Sequence, residues 1–308
     1  MTAIDPTSLL ATAAMLQPAL IWTLLLALRQ QIRTLATVTA PLGLGVDGKE
    51  QPIIVPVDDP VALFEIAVDG SWRARAPVGE PGAEGPDLYL PLALARRERP
   101  LTVAHLGQSL DGRIATENGA SCYVTGPENL THLHRMRALC DAIVVGAATV
   151  ECDDPRLTTR RVVGPNPVRV IIDPQRRLAT DHGVFQDRAA PTLLVCALER
   201  AATPAPVGVE ILGVPSANGR LNPREILRRL HDRGLCGIFI EGGGQTVSAF
   251  LEQGLLDRLQ LTVAPLIIGS GRPGITLPPI QDLSQGLRPR HRRYLLGEDV
   301  LFDCRPRD

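Results

Sequence analysis

From Pro100 onward the chain reads as an α/β protein, a three-layer α/β/α sandwich around a mixed, mostly parallel sheet. Two observations predict this. Apolar runs of strand length alternate with helix-length segments through the rest of the chain. Several of these runs, such as Ala142-Ile143-Val144-Val145 and Val168-Arg169-Val170-Ile171-Ile172, are almost continuously apolar, as strands covered on both faces must be.

Composition bounds the rest. The chain has 308 residues, a net charge of −1 and 44% hydrophobic residues, enough for one large domain or two modest ones and too apolar for a disordered chain. Lys and Arg number 32 against 33 Asp and Glu, and aromatics are 3%, so neither a basic excess nor stacking platforms point to nucleic acid. Six cysteines, at 122, 140, 152, 196, 236 and 304, form no CxxC pair and have no His at zinc-ligand spacing. They read as reduced thiols in a cytosolic protein, with no metal site.

At the N-terminus, Pro6 to Leu28 carries no charge, but Thr, Ser, Gln and Pro residues interrupt it, and no positive start marks it as a secretory signal. Leu16, Leu20, Leu24 and Leu28 recur at i+4, widened by Ile21, Leu25 and Ile32. This predicts a helix beginning near Pro18 that packs on protein rather than in a membrane. Residues 73–100, with Pro77, Gly79, Pro81, Gly82, Gly85, Pro86 and the run Arg96-Arg97-Glu98-Arg99, read as a linker or surface arm. The expected domains are therefore 1–98, a helical and loop-rich extension, and 99–308. Within the second, strands are expected at 101–106, 141–145, 168–173, 192–196, 236–240, 258–264 and 293–303, and helices at 128–139, 223–233 and 245–256. Asn222-Pro223 supplies a cap and a first-turn proline for the second of these helices.

Four constellations could carry chemistry. Ser109-Leu110-Asp111-Gly112-Arg113 follows the first strand and reads as a turn. Glu241-Gly242-Gly243-Gly244-Gln245 joins a strand to a helix, where three glycines admit either close helix–sheet packing or a ligand phosphate at a helix N-terminus. Its late position and its departure from GxGxxG argue against a Rossmann domain. Asp153-Asp154-Pro155-Arg156-Leu157-Thr158-Thr159-Arg160 is either a surface turn with local ion pairs or an oxyanion loop served by two arginines. His132 and His134, two residues apart on a helix, do not converge on one metal, whereas His134 and Arg137 lie one turn apart.

In order, SLDGRIAT (109–116), NGASCYVTG (118–126), MRALCDAIVVGAATV (136–150), DDPRLTTR (153–160), VRVIIDP (168–174), EGGGQTVSAFL (241–251), LLDRLQLTVAPLIIGSG (255–271) and GEDVLF (297–302) resemble the reductase half of the bacterial riboflavin-biosynthesis deaminase-reductase. The resemblance covers about Leu101 to Phe302 and implies a dihydrofolate-reductase-like fold and that family's reaction, NADPH-dependent reduction of a 5-amino-6-(5-phosphoribosylamino)pyrimidine, hydride going to ribose C1′. It implies that Ser121, Arg137, Leu157 and Arg160 hold substrate, with the arginines on its 5′-phosphate, and that Glu241 contacts its polar edge. Gly107, Tyr123, Thr149, Asp153 and the run Gly243 to Ala249, including Gly244, Gln245 and Thr246, would line the cofactor site. A homodimer without membrane or nucleic-acid partners goes with it.

This chain departs from the pattern at His105, where the family usually has Lys, at Tyr123 in place of Trp and at Pro174 in place of Ser. His105, Glu241 and bound water are the candidate general acids. Residues 1–98 contain no Cys and no His, which excludes the zinc deaminase that precedes the reductase in the bifunctional protein. That segment is expected to pack on the reductase domain or to mediate assembly. Two alternatives stand beside the leading expectation: a reductase of a pterin-like heterocycle, and a non-catalytic nucleotide-binding relative.

Overall fold

Pro18 opens the first helix, α1 (Pro18–Thr34), whose buried stripe is Ile21, Leu24, Leu25, Leu28 and Ile32, at the three-to-four-residue spacing of one helix face. Leu16 and Leu20 stay half-buried. The computed structural model describes residues 16–34, 38–78, 85–122 and 124–307, and it divides into two units, Met1–Leu94 and Ala95–Asp308. No helix among the described residues is long and apolar enough to cross a membrane.

The first unit corrects the expected helical, loop-rich extension. It holds four antiparallel strands, β1 (Leu42–Val46), β2 (Pro52–Pro56), β3 (Ala62–Ile66) and β4 (Trp72–Ala74), in the order β2-β1-β3-β4. Two Val-Asp-Gly turns make its hairpins. Asp47 Oδ1 accepts from the N–H groups of Lys49 and Gln51 at 2.8 and 2.9 Å, and Asp69 Oδ1 from that of Ser71 at 2.8 Å. The expected linker is corrected too, since it contains α2 (Pro86–Ala93), which buries Leu88, Tyr89, Leu90 and Leu92. Pro86 is harmless in the first turn, and the apolar run that follows it outweighs the proline and glycine punctuation.

In the second unit, β5 (Leu101–Ser109) runs into the short β6 (Arg113–Thr116) through the Asp111-Gly112 turn, with Gly112 at φ +76°. α3 (Pro127–Leu139), β7 (Ala142–Gly146), α4 (Ala147–Asp153) and β8 (Val168–Ile172) follow. Then come α5 (Gly183–Gln186), β9 (Thr192–Ala197), β10 (Val209–Val214), the small hairpin β11 (Ser216–Ala217) and β12 (Arg220–Leu221), and α6 (Pro223–Asp232). The Asn222 side chain caps α6 by accepting from the Arg224 N–H. The chain closes with β13 (Gly237–Glu241), α7 (Gly244–Glu252), β14 (Arg258–Ala264), β15 (Gly271–Pro273), β16 (Arg290–Leu296) and β17 (Asp299–Arg305).

Nine strands form one sheet in the order β10-β9-β8-β7-β13-β5-β14-β17-β16. All neighbours from β10 to β14 are parallel, and β17 and β16 add antiparallel pairs, which is the expected mixed, mostly parallel sheet. The single strand expected at 293–303 is two, because Gly297 at φ +65° turns the chain and pairs Leu296 with Asp299. β10 escaped expectation because Glu210 and Gly213 interrupt its apolar pattern.

Side-chain alternation sorts the layers. Ala104, Leu106, Ile238 and Ile240 share a core with Ile226 and Leu230 of α6 and Val247 and Phe250 of α7. Their alternates His105 and Glu241 meet α3 on the opposite face.

Candidate active site

Parallel strands bring their carboxyl ends to one edge. Glu241 closes β13 in register with His105 of β5, while Gly146 closes β7 on the other side of β13. From α3, Arg137 reaches Glu241 with a forked pair: Nε donates to Oε2 at 2.8 Å and Nη2 donates to Oε1. Its third nitrogen, Nη1, donates to the Thr158 carbonyl at 3.1 Å. One helical turn earlier, His134 Nδ1 accepts the backbone N–H of Arg160 at 2.8 Å. Arg160 folds back in turn, and its Nη1 donates to Thr158 Oγ1 at 2.7 Å. Thr158 and Arg160 are thus held from α3. Just before them Leu157 lies at φ +56°, a value that side-chain-bearing residues rarely adopt, and Asp154 at φ +37° caps the end of α4.

Electrostatics define this corner. Burial works against the Arg137 charge, but the Glu241 carboxylate more than offsets it, and the pKa lies above its ordinary value. Arg160 is shifted down, by partial burial first and then by the positive charges of Arg137 and Arg156. With Glu241 already engaged by Arg137, the crowded guanidinium groups suit an anion. Burial, with Arg137, Arg160 and Arg161 nearby, lowers the His134 pKa to about 4, so its imidazole is neutral near pH 7.

The Arg137 guanidinium is bonded to Glu241 and to the Thr158 carbonyl, and Leu157 is 1% exposed. His105 is also buried. Its Nε2 lies 3.0 Å from both Asn129 Oδ1 and Thr262 Oγ1, and burial followed by the repulsion of His132 lowers its pKa to about 3. It is a neutral member of a buried polar network, not a partly charged group.

The glycine loop begins at Gly242, directly after Glu241. Gly242 and Gly243 take φ +82° and +67°, a region that favours glycine. Gly243 begins α7 without a side-chain cap, so the first-turn N–H groups have no intrahelical acceptor. A Cβ at Gly243 would lie 3.0 Å from Thr149 Oγ1, and one at Gly146 would lie 2.7 Å from Thr246 Oγ1. Thr149 and Thr246 therefore flank the loop. Gly244 is buried under the Gly274 carbonyl, whereas Gln245 is exposed. Gly107 sits under Thr125, whose Cγ2 would be 2.7 Å from a Cβ there. Ser121 donates to Asp153 Oδ1 at 2.9 Å, joining two further expected residues. Tyr123 lies outside the described residues. Uncapped first-turn N–H groups are donors of the kind that hold the pyrophosphate of a dinucleotide, so this donor set fits the implied cofactor. No group of three His, Cys, Asp or Glu among the described residues could hold a metal.

Sequence reasoning missed Thr158, which holds both arginines, and Asn129, which joins Thr125, Thr262 and His105. The spacing of His134 and Arg137 by one helical turn was the available signal for the grip on the loop.

Residues 100–295 match the family described as the RibD C-terminal domain. The chain belongs to the RibD C-terminal domain family. A 2,5-diamino-6-ribosylamino-4(3H)-pyrimidinone 5′-phosphate reductase of Methanothermobacter thermautotrophicus is 36% identical over 217 residues, covering 67% of this chain and 97% of that one. The riboflavin biosynthesis protein RibD of Aquifex aeolicus is 32% identical over 210 residues, covering 67% of this chain and 58% of that protein. A crystal structure of a diaminohydroxyphosphoribosylaminopyrimidine deaminase/5-amino-6-(5-phosphoribosylamino)uracil reductase from Thermotoga maritima superposes with a TM-score of 0.60 at 26% identity, over 71% of this chain and 60% of that one. The chain thus matches the archaeal reductase almost end to end and less than two-thirds of the bifunctional RibD-type proteins. The RibD C-terminal match covers the nine-stranded sheet as far as β16 and leaves the first unit outside it.

Proposed function

We propose that this chain reduces a 5-amino-6-(5-phosphoribosylamino)pyrimidine to its ribitylamino product, with NADPH giving hydride to ribose C1′. One observation carries the reading: the Arg137–Glu241–Arg160 corner and the uncapped glycine loop, which begins at the next residue, share the carboxyl edge of β13. The reductase activity by which the archaeal relative is named, matched over nearly its whole length, supports the same substrate class. The guanidinium cluster favours a phosphorylated substrate over a pterin-like heterocycle without phosphate.

In this reading Arg160, with Arg156 beside it, binds the 5′-phosphate. Arg137 orients Glu241 through its fork, leaving the carboxylate edge to face the sugar or pyrimidine. Ser121 serves the substrate beside Asp153, while Thr149, Asp153, Gly107 and residues 243–246 hold the dinucleotide, which when bound supplies the hydride. Positioning is the protein's main contribution, since it turns an encounter of two ligands into a step within one complex. His105 serves through Asn129 and Thr262, its Nε2–H donating to Asn129 Oδ1, and passes no proton to substrate. A cytosolic homodimer belongs to the same reading.

The test is direct. Mixing the protein with NADPH and the ribosylamino-pyrimidine 5′-phosphate should consume nicotinamide absorbance only when both are present. No consumption by well-folded protein would overturn the reading in favour of a non-catalytic relative.

A further inference from the structure

We infer that His134 is a positioning residue which, through its unprotonated Nδ1, holds the backbone of Arg160 so that this guanidinium meets the substrate phosphate. The inference rests on the proposed activity and adds a residue that acts on substrate only through another.

Three observations carry it. The Arg160 N–H donates to His134 Nδ1 at 2.8 Å, so that nitrogen carries no proton and the imidazole cannot be the charged form. His134 is only 5% exposed, and the groups facing it are all cationic: Arg137 on its own helix, and Arg160 and Arg161 on the loop. A cation at 134 would therefore be repelled from both sides, and the site selects a neutral acceptor. Finally, the loop it holds is conformationally demanding. Leu157 and Asp154 lie at positive φ, and Thr158 takes bonds from Arg137 and Arg160. A backbone of this kind persists only where its surroundings over-determine it. Removing the Arg160 N–H acceptor leaves a part-buried donor unsatisfied and frees the segment that aims the guanidinium.

Asn and Leu separate the acceptor from the packing. Asparagine places Oδ1 where histidine has Nδ1, whereas leucine fills the space without an acceptor. His134→Leu should raise KM for the phosphorylated substrate about tenfold with kcat changed by less than about twofold. It should also speed hydrogen exchange in the peptide containing residues 156–161. His134→Asn should restore both. Unchanged exchange and KM in His134→Leu would overturn the inference. So would an Asn variant that unfolds at the wild-type temperature yet exchanges and binds like the Leu variant. If the wild type fails to reduce the substrate, the proposed activity falls, while the exchange comparison and binding of inorganic phosphate to the three proteins still decide the role of His134. Weaker phosphate binding and faster exchange in the Leu variant alone support it, and identical behaviour of all three proteins rejects it.

Discussion

Arg137 and Glu241 form the residue pair on which the site depends. The forked geometry gives each carboxylate oxygen its own N–H donor, which a lysine cannot reproduce. Arg137→Leu would leave Glu241 without its counter-charge in a mostly buried corner. The expected loss of stability is about 3 kcal/mol, measured by urea unfolding. Arg160→Ala acts differently. Its side chain bonds only to Thr158 among the described contacts, so the fold should survive, while KM for the phosphorylated substrate rises at least tenfold with kcat little altered. His105 makes a third residue-scale prediction. Its neutral form is the folded form, and its pKa falls from 6.5 to about 3. The stabilisation is complete above pH 6.5 and drains away as the pH falls toward 3, because the unfolded chain then takes up a proton that the folded chain refuses. Each pH unit below about 6 should remove about 1.4 kcal/mol, read as a falling urea midpoint. Asp299 and Asp303, raised by burial, act in the opposite sense, so the slope should steepen when Asp303 is replaced by Asn.

Among the elements, the loop from β13 into α7 joins backbone freedom to binding. Gly243→Ala places a side chain at φ +67° and 3.0 Å from Thr149 Oγ1, so it should raise KM for the cofactor severalfold and lower the unfolding temperature. This loop was legible from three consecutive glycines after an apolar run. Which glycine has which task was not, because it depends on neighbours far along the chain: Thr149 beside Gly243, and the Gly274 carbonyl over Gly244. α3 shows a similar limit. Its extent is plain from its sequence, but the direction in which His132, His134 and Arg137 point depends on Gln260, Arg160 and Glu241, which lie 26 to 128 residues away. The hairpins of the first unit were legible in principle, since Asp-Gly recurs at 47–48 and 69–70, but their strands are short and pair only with one another.

At the scale of the whole molecule, Met1–Leu94 and Ala95–Asp308 each carry their own buried apolar core. Residues 95–308 expressed alone should therefore fold cooperatively and bind the dinucleotide with the full-length dissociation constant, checked by calorimetry. Legible in the residues alone are the α/β alternation, a mostly parallel sheet of continuously apolar strands, and the residue types that could meet a phosphate. Those features are local, because periodicity, glycine content and charge act over a few residues. Contacts made across the fold settle the rest: Arg137 forks onto Glu241, His105 is buried and neutral, and the first unit is a sheet. Each of these depends on which distant groups share a low-dielectric space, where an unpaired charge or donor is costly and the partner that arrives sets the role.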